Sequence, residues 1–324
     1  MRIYFVVKDP SVRNINSFVL SLGKALQEHG CEVVYGLDRL WTDAVLECDV
    51  VHFQRPEDVF GHEATDAELS SLEHRLQWLR QHGKTIFSTC YNLKPPAGNN
   101  DVNASRLYDL LYSHADCIVH FGMYSRSLLL PQYPQARHVV VPHHIYDHLL
   151  SFSVSQKEAR QKLQLPEDKK IVLYFGQNQN DEEQEFVSTL SKHFDSAVRF
   201  FSPGVSPEAL NTLDPAKLRC CFCAADVVLI QQPDILNSDI LPMAFAAGRA
   251  VVGPDAGNVG ETLHEMGNWT FSPNDIATAV QAVQAALSKG AAIGKTNKAN
   301  AEEHWSASIV ASQLLLFIKT GNYS

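Results

Sequence analysis

Short runs of apolar residues recur along this chain at intervals that leave room for one helix between neighbours. That rhythm constrains the fold more than any other feature. "IYFVV" (3–7), "EVVY" (32–35), "VVHF" (50–53), "TIFST" (85–89), "CIVHF" (117–121) and "HVVVP" (138–142) read as buried strands. Runs so uniformly apolar suit strands covered on both faces, since a sheet open to water on one side alternates apolar and polar residues. Between them the spacing predicts helices over 17–29, with Phe18, Leu22, Ala25 and Leu26 on one face, and over about 66–82 and 105–113. Strand–helix alternation of this kind predicts an α/β fold with parallel sheets flanked by helices.

The rhythm pauses at 143–169, a polar stretch read as a linker carrying a helix near 156–163. It resumes with strands at 170–176, 198–202, 226–230 and 250–253, and with helices at 181–193, 215–224, 239–247, 274–288 and 305–319. Asp214 is the expected N-cap of the helix from Pro215, whose proline suits the first helical position. The 324 residues therefore divide into two doubly wound Rossmann-like domains, 1–150 and 151–324, with the last helix (about 305–319) able to pack back on the N-terminal one. Two such domains facing across a cleft place strand carboxyl ends opposite each other, and ligands bind beyond those ends.

A net charge of −9 argues against a broad nucleic-acid surface. The sequence holds no apolar run of membrane-spanning length, and "MRIYFVVKDP" reads as a first strand rather than a signal peptide, so a cytoplasmic location is expected. Seven cysteines, mostly beside apolar neighbours, suggest reduced core thiols. "CCFC" (220–223) lacks the paired spacing of a zinc site, so no metal is expected there. There is no G-x-x-x-x-G-K-[ST], and the first strand–helix turn (6–14) has no glycine, which disfavours a P-loop kinase and a dinucleotide dehydrogenase.

The densest stretch is "ILNSDILPMAFAAGRAVVGPDAGNVGE" (235–261). Asn237 and Ser238 can cap the helix 239–247, with Pro242 in its first turn and Gly248 at its stop. The next turn offers Gly257 and Gly260, where backbone can approach a ligand. Helix N-termini carry unpaired N–H groups and about half a positive charge. Both turns are therefore expected to present N–H groups to one phosphorylated ligand, with Arg249 the only basic side chain between them.

The order "ADVVLIQQPDILNSDILPMAFAAGRAVVGPDAGNVGETL" (225–263) resembles the donor half of bacterial glycosyltransferases of the GT-B fold. There an "AD" strand precedes an "SG"-type turn, a small-residue helix ending "GxPVV" and a "DxGGxxE" loop. The segments 13–34, "CDVVHFQRPE" (48–57), "STCYNLKPP" (88–96), "VVPHHIY" (140–146), "VLYFG" (172–176) and "HWSASIVASQLLLFI" (304–318) extend the resemblance over nearly the whole chain.

The resemblance implies transfer of a sugar from a nucleotide-diphosphate sugar to a glycan, lipid-linked or other glycoconjugate acceptor, in bacterial surface polysaccharide synthesis. The donor would lie on the C-terminal domain and the acceptor on the N-terminal one. No cofactor or essential metal is implied, because N–H groups and basic side chains can stabilise the departing diphosphate. The donor-binding positions carried over are Gly176, Asn178, Asn237, Ser238, Arg249, Gly257 and Glu261; His143 and His120 are the catalytic candidates. Arg75, Arg80 and Lys84 beside Leu72, Leu76 and Leu79 fit a peripheral contact at the inner membrane face, although a plain amphipathic helix covering a sheet is the stronger reading.

The departures are specific. Retaining members often carry two glutamates, and those positions fall near Ile235 and Met243. The "SG" turn becomes Ser238–Asp239, which puts a carboxylate where it opposes phosphate. The loop after Gly176, "QNQNDEEQE" (177–185), is acidic where the family supplies arginine and lysine, leaving Arg249 and Arg199 as the nearest cations in sequence. Family histidines are replaced by Gln54 and Tyr91. These losses leave the stereochemistry open. They also support a second reading, a catalytically silent homologue that binds a nucleotide sugar or a protein partner. A sugar-nucleotide epimerase is a third.

Overall fold

A computed structural model describes residues 1–8, 17–60, 63–93, 102–176, 181–206, 210 and 212–320. The chain divides into two units, Met1–Pro142 together with Ser308–Ser324, and His143–Ala307. The division falls at Pro142, a little before position 150, so the stretch read as a linker belongs to the second unit.

The first unit is built on β1 (Arg2–Val6), β2 (Glu32–Tyr35), β3 (Val50–Phe53), β4 (Thr85–Thr89), β5 (Cys117–His120) and β6 (Arg137–Val140), all parallel in the order β2-β1-β3-β4-β5-β6. Its helices are α1 (Ser17–Glu28), α2 (Asp66–Gln81), α3 (Val102–Ser113) and α4 (Met123–Leu129). α2 starts where Thr65 and Glu68 form a reciprocal capping box, and it buries Leu69, Leu72, Leu76 and Leu79. Those leucines join Tyr4, Val51, Phe53 and Ile86 in the core, so α2 covers the sheet. Arg75 lies on the Trp78 ring and donates to the Leu40 and Thr42 carbonyls.

The second unit holds α5 (Gln156–Lys162), β7 (Lys170–Tyr174), α6 (Asp181–Ser191), β8 (Val198–Phe201), α7 (Pro215–Ala224), β9 (Val227–Leu229), α8 (Ile240–Ala246), β10 (Ala250–Pro254), α9 (Gly257–Glu265), β11 (Trp269–Phe271) and α10 (Ile276–His304). Its parallel sheet runs β11-β10-β9-β7-β8. Asp214 caps α7 as expected, accepting from the N–H groups of Ala216 and Lys217. The "CCFC" residues are buried on this helix, in keeping with core thiols.

α4 and β11 have no counterpart in the expected order, and two further elements differ from expectation. The stretch 253–261, expected as a glycine turn, runs from the end of β10 into helix α9 from Gly257, and α10 runs 29 residues instead of stopping near 288. α10 is long because it lies tightly on the entrance to β10. A Cβ at Gly290 would sit 2.8 Å from that of Ala250, and one at Gly294 would sit 2.3 Å from the Gly248 carbonyl oxygen. Beside this contact Asn297, fully buried, donates to the Arg249 carbonyl and exchanges two amide bonds with Asn268. The last helix, α11 (Ala307–Thr320), belongs with the first unit from Ser308 onward. There His29 meets Ser308, and Arg137 donates to the Phe317 carbonyl.

Candidate functional site

In the second unit the strand order reverses between β7 and β9, with β8 on one side and β10 on the other. Doubly wound sheets open a crevice beyond the strand carboxyl ends at such a point. A pocket of about 190 Å³ lies there, lined by Tyr174, Gly176, Glu183, Gln184, Ser202, Gly204 and Gln231. Gly176 lies two residues beyond the end of β7 at Tyr174, which is how the expected donor-binding glycine reaches the pocket. Gln231 is 2% exposed. Its amide nitrogen donates to the Phe175 carbonyl and to Glu183 Oε2, while its Oε1 is buried without a hydrogen bond among the described residues. Among the described residues that line it, no side chain is basic. Asn178 lies outside the described residues.

The polypeptide leaves β9 through this pocket and continues to the turn at 235–239. That turn is fastened to the start of α9. Gly257 has φ +61°, and a Cβ there would stand 2.2 Å from the Ile235 oxygen. Asn258 and Val259 donate their N–H groups to the Leu236 carbonyl at 2.9 and 3.3 Å, and the Asn258 side chain donates to Asn237 Oδ1 at 2.7 Å. The close backbone approach foreseen at Gly257 is therefore made by this chain itself, and those two N–H groups are spent inside the protein. Ser238 Oγ accepts from the Ile240 N–H at 3.3 Å. Asn237, Ser238 and Gly257 thus form one assembly, with Glu261 one turn further along α9.

Asp239 precedes α8 but does not cap it. Its Oδ1 accepts from His143 Nε2–H at 3.0 Å and from the Tyr146 hydroxyl at 2.9 Å. His143 Nδ1 faces the His144 carbonyl at 3.4 Å. Nε2–H is thus committed to the Asp239 carboxylate, and Nδ1 lies beside a carbonyl oxygen.

Arg249 is a correction. It stands just before β10, at the amino end of a parallel strand, whereas the pocket lies beyond the carboxyl ends. It is half-buried and donates to the Cys223 carbonyl at 2.8 Å, and burial lowers its pKa. It ties α7 to the sheet and cannot serve a ligand at the pocket. Arg199 lies on β8, outside the pocket lining.

His120, in the first unit, is likewise committed. His138 Nε2 donates to the Tyr133 carbonyl at 3.0 Å, which leaves His138 Nδ1 to accept from His120 Nε2 at 2.9 Å. His120 Nδ1 then accepts from the Ser125 hydroxyl at 3.0 Å. Burial, with His138 and Arg126 nearby, lowers the His120 pKa to about 3. His52, ringed by Phe5 and Phe87, is also lowered to about 3 by burial, and its Nε2 meets Thr89 Oγ1 and the Gln54 amide. Both are neutral structural histidines.

Sequence reasoning missed Gln231, Glu183, Tyr174 and Ser202. The available signal was positional: Gln231 and Ser202 are polar residues close behind strands, where a doubly wound sheet opens its crevice. Among the described residues no group of three His, Cys, Asp or Glu side chains could hold a metal ion, and no helix is long and apolar enough to cross a membrane.

Two parallel doubly wound sheets, of six and five strands, define the GT-B fold. No protein-family model and no curated protein matches the sequence. Among solved structures, sucrose-phosphate synthase from Thermosynechococcus elongatus matches with TM-score 0.69 at 15% identity, covering 98% of each chain. HepE from Anabaena, in complex with UDP, matches with TM-score 0.66 at 13% identity, over 99% of this chain and 100% of that one. A putative UDP-N-acetylglucosamine 2-epimerase from Listeria monocytogenes matches with TM-score 0.57 at 12% identity, over 99% and 96%. At such identities the likeness fixes the fold, and a fold alone does not fix a reaction.

Proposed function

We propose that this chain is a nucleotide-sugar-dependent glycosyltransferase whose His143–Ala307 unit binds the donor, acting on a glycan, lipid-linked or other glycoconjugate acceptor in bacterial surface polysaccharide synthesis. The observation that carries this reading is the pocket at the β7/β9 switch point, beyond the carboxyl ends of the strands. The structures that resemble this chain include HepE with UDP and a starch synthase catalytic domain bound to ADP and acarbose, which supports a nucleotide in such a unit.

In the transfer, the acceptor oxygen bonds to the anomeric carbon as that carbon's bond to the diphosphate breaks. The electron pair leaves with the diphosphate, and the hydroxyl proton passes to a base. No essential metal or cofactor is part of the proposal. Neither is a nucleic-acid partner. A peripheral contact at the inner membrane face, with the protein otherwise cytoplasmic, would suit a lipid-linked acceptor.

A second reading has its own support. Among the described residues the pocket lining has a carboxylate, Glu183, and no cation, and Arg249 lies at the far end of its strand. A catalytically silent subunit that binds a nucleotide sugar or a protein partner fits those facts. The two separate in one sequence of measurements. A thermal-shift screen against UDP, GDP, CDP, dTDP, ADP and their sugars, with and without magnesium, is expected to give a hit for one base. A ligand at 100-fold its Kd adds about 2.7 kcal/mol to the stability of the native state. Hydrolysis or transfer with that sugar nucleotide supports the transferase; binding without turnover supports the silent subunit. No shift at millimolar concentration with any of them defeats the donor-binding reading.

A further inference from the structure

The polar side chains at the β7/β9 pocket share one chemical property. Gln231 spends both protons of its amide inside the protein, one on the Phe175 carbonyl and one on Glu183 Oε2 at 3.0 Å. Ser202 spends its hydroxyl proton on the Gly176 carbonyl at 3.1 Å and accepts from the Gly204 N–H at 3.1 Å. What these groups have left is acceptor capacity: the Glu183 carboxylate, the Ser202 oxygen and Gln231 Oε1. The last of these is buried without a hydrogen bond among the described residues, on a side chain only 2% exposed. Turning the amide over would set its oxygen against two other acceptors, so its orientation is fixed. Tyr174 adds a half-buried aromatic ring to the wall. A Cβ on Gly176 would lie against that ring at 3.5 Å, so the glycine leaves its edge uncovered.

Acceptors grouped around a carboxylate repel phosphate and take a ligand group that donates. The pocket's volume of about 190 Å³ is below the roughly 300–1,000 Å³ of pockets that enclose a whole ligand, so it fits one ring system of a larger molecule. A flat ring beside Tyr174 suits a nucleobase, because every base has a π-face. The hydrogen-bonding edges then decide among the bases. Uracil and thymine offer a single N3–H between two carbonyl oxygens, and adenine and cytosine set an amino group beside an acceptor nitrogen. Guanine presents two neighbouring donors, N1–H and the 2-amino group, and one carboxylate accepts both at once. We propose that this pocket takes the base of a guanine nucleotide, with Glu183 the specificity-determining acceptor and Gln231 the positioning residue that holds it. The proposal rests on the donor-binding reading above and names the nucleotide for it.

The test is calorimetric titration of the full chain with GDP, inosine diphosphate, UDP, CDP, dTDP and ADP, and with GDP-mannose. Inosine diphosphate keeps N1–H and lacks the 2-amino group, so it isolates one of the two bonds. The wild type is expected to hold GDP about tenfold tighter than inosine diphosphate, the loss that one hydrogen bond to a charged group brings, and tighter still than the other four. Glu183→Gln is expected to bring the ratio of GDP to inosine diphosphate to about 1 and to leave the weaker binding of UDP and ADP unchanged. Glu183→Asp, which keeps the charge but withdraws it, should retain part of the ratio. Gln231→Met should lower the ratio without changing UDP affinity, because Glu183 loses the donor that orients it. Gln231→Asn serves where that variant fails to fold, and is expected to lower the ratio as well.

A wild type that binds UDP, CDP, dTDP or ADP as tightly as GDP overturns the base assignment and leaves the donor-binding reading standing. Equal weakening of every nucleotide in Glu183→Gln would make that carboxylate merely structural, and an unchanged ratio would take it out of the site; either result overturns the proposal. A loss confined to GDP-mannose, with GDP unaffected, would put the sugar in the pocket and overturn it too. A wild type that binds no nucleotide at all defeats both readings.

Discussion

A buried histidine tells little by its identity and much by its partners. His120 and His52 both stand at strand ends, where a catalytic base would be sought, and both are held neutral by burial. Their folded-state values of about 3 lie below the ordinary 6.5, so between those limits the unfolded chain binds more protons. Stability is therefore expected to be greatest above about pH 6.5 and to fall as the pH drops toward 3, by up to about 1.4 kcal/mol per pH unit for each ring. Denaturant unfolding across that range should show a shallower slope in His120→Gln and His52→Gln; an unchanged slope would mean that the rings charge in the folded state. Arg249 gives a contrasting prediction. Arg249→Ala should cost about 1–3 kcal/mol, because it removes a buried donor from the Cys223 carbonyl. It should leave nucleotide affinity unchanged in titration, since the side chain lies at the amino end of its strand.

Among the elements, α9 best illustrates how a local signal is read differently once neighbours are known. Glycines at 257 and 260 are visible in the sequence as places for close backbone approach, and the approach is real. It is made by Ile235 and Leu236 of the same chain. Gly257→Ala combines an unfavourable φ of +61° with a Cβ 2.2 Å from a carbonyl oxygen, so it is expected to destabilise by about 2 kcal/mol or more. It should also weaken nucleotide binding by displacing the 235–239 turn. Gly267→Ala is the control. Its φ is +64° but nothing lies within 4 Å of a Cβ, so it should cost about 1 kcal/mol and leave binding intact. Equal effects of the two on binding would detach the turn from the ligand site. α10 carries the same lesson, because its extension past 288 is explained by Gly290 and Gly294 packed on the entrance to β10 and not by helical propensity.

On the scale of the whole molecule, α11 from Ser308 onward belongs to the same unit as β1 to β6. Val310, Ala311, Leu314 and Leu315 are all buried on that helix. Ending the chain after Ala307 should expose the surface they cover, at about 1.5–3 kcal/mol for each large side chain. Hydrogen exchange is the suitable readout. Amides of β1 to β6 should lose protection, while those of β7 to β11 keep theirs; uniform loss throughout would contradict this assignment of α11.

The sequence by itself determined the kinds and order of the elements, because strand and helix periods, the Asp214 cap and the proline after it are written within a few residues of each other. All six strands of the first sheet and four of the five in the second follow from that rhythm; β11 does not. Only the tertiary structure decided who meets whom. His143 and Asp239 are 96 positions apart, and nothing in either local pattern announces their bond. Tertiary packing also turned Arg249 away from the ligand end of its sheet, closed the His120–His138–Ser125 chain of hydrogen bonds, and spent the first N–H groups of α9 on Leu236. The physical reason is the same in each case. Local periodicity fixes backbone conformation, whereas hydrogen-bond partners and pocket walls come from side chains brought together by long-range packing.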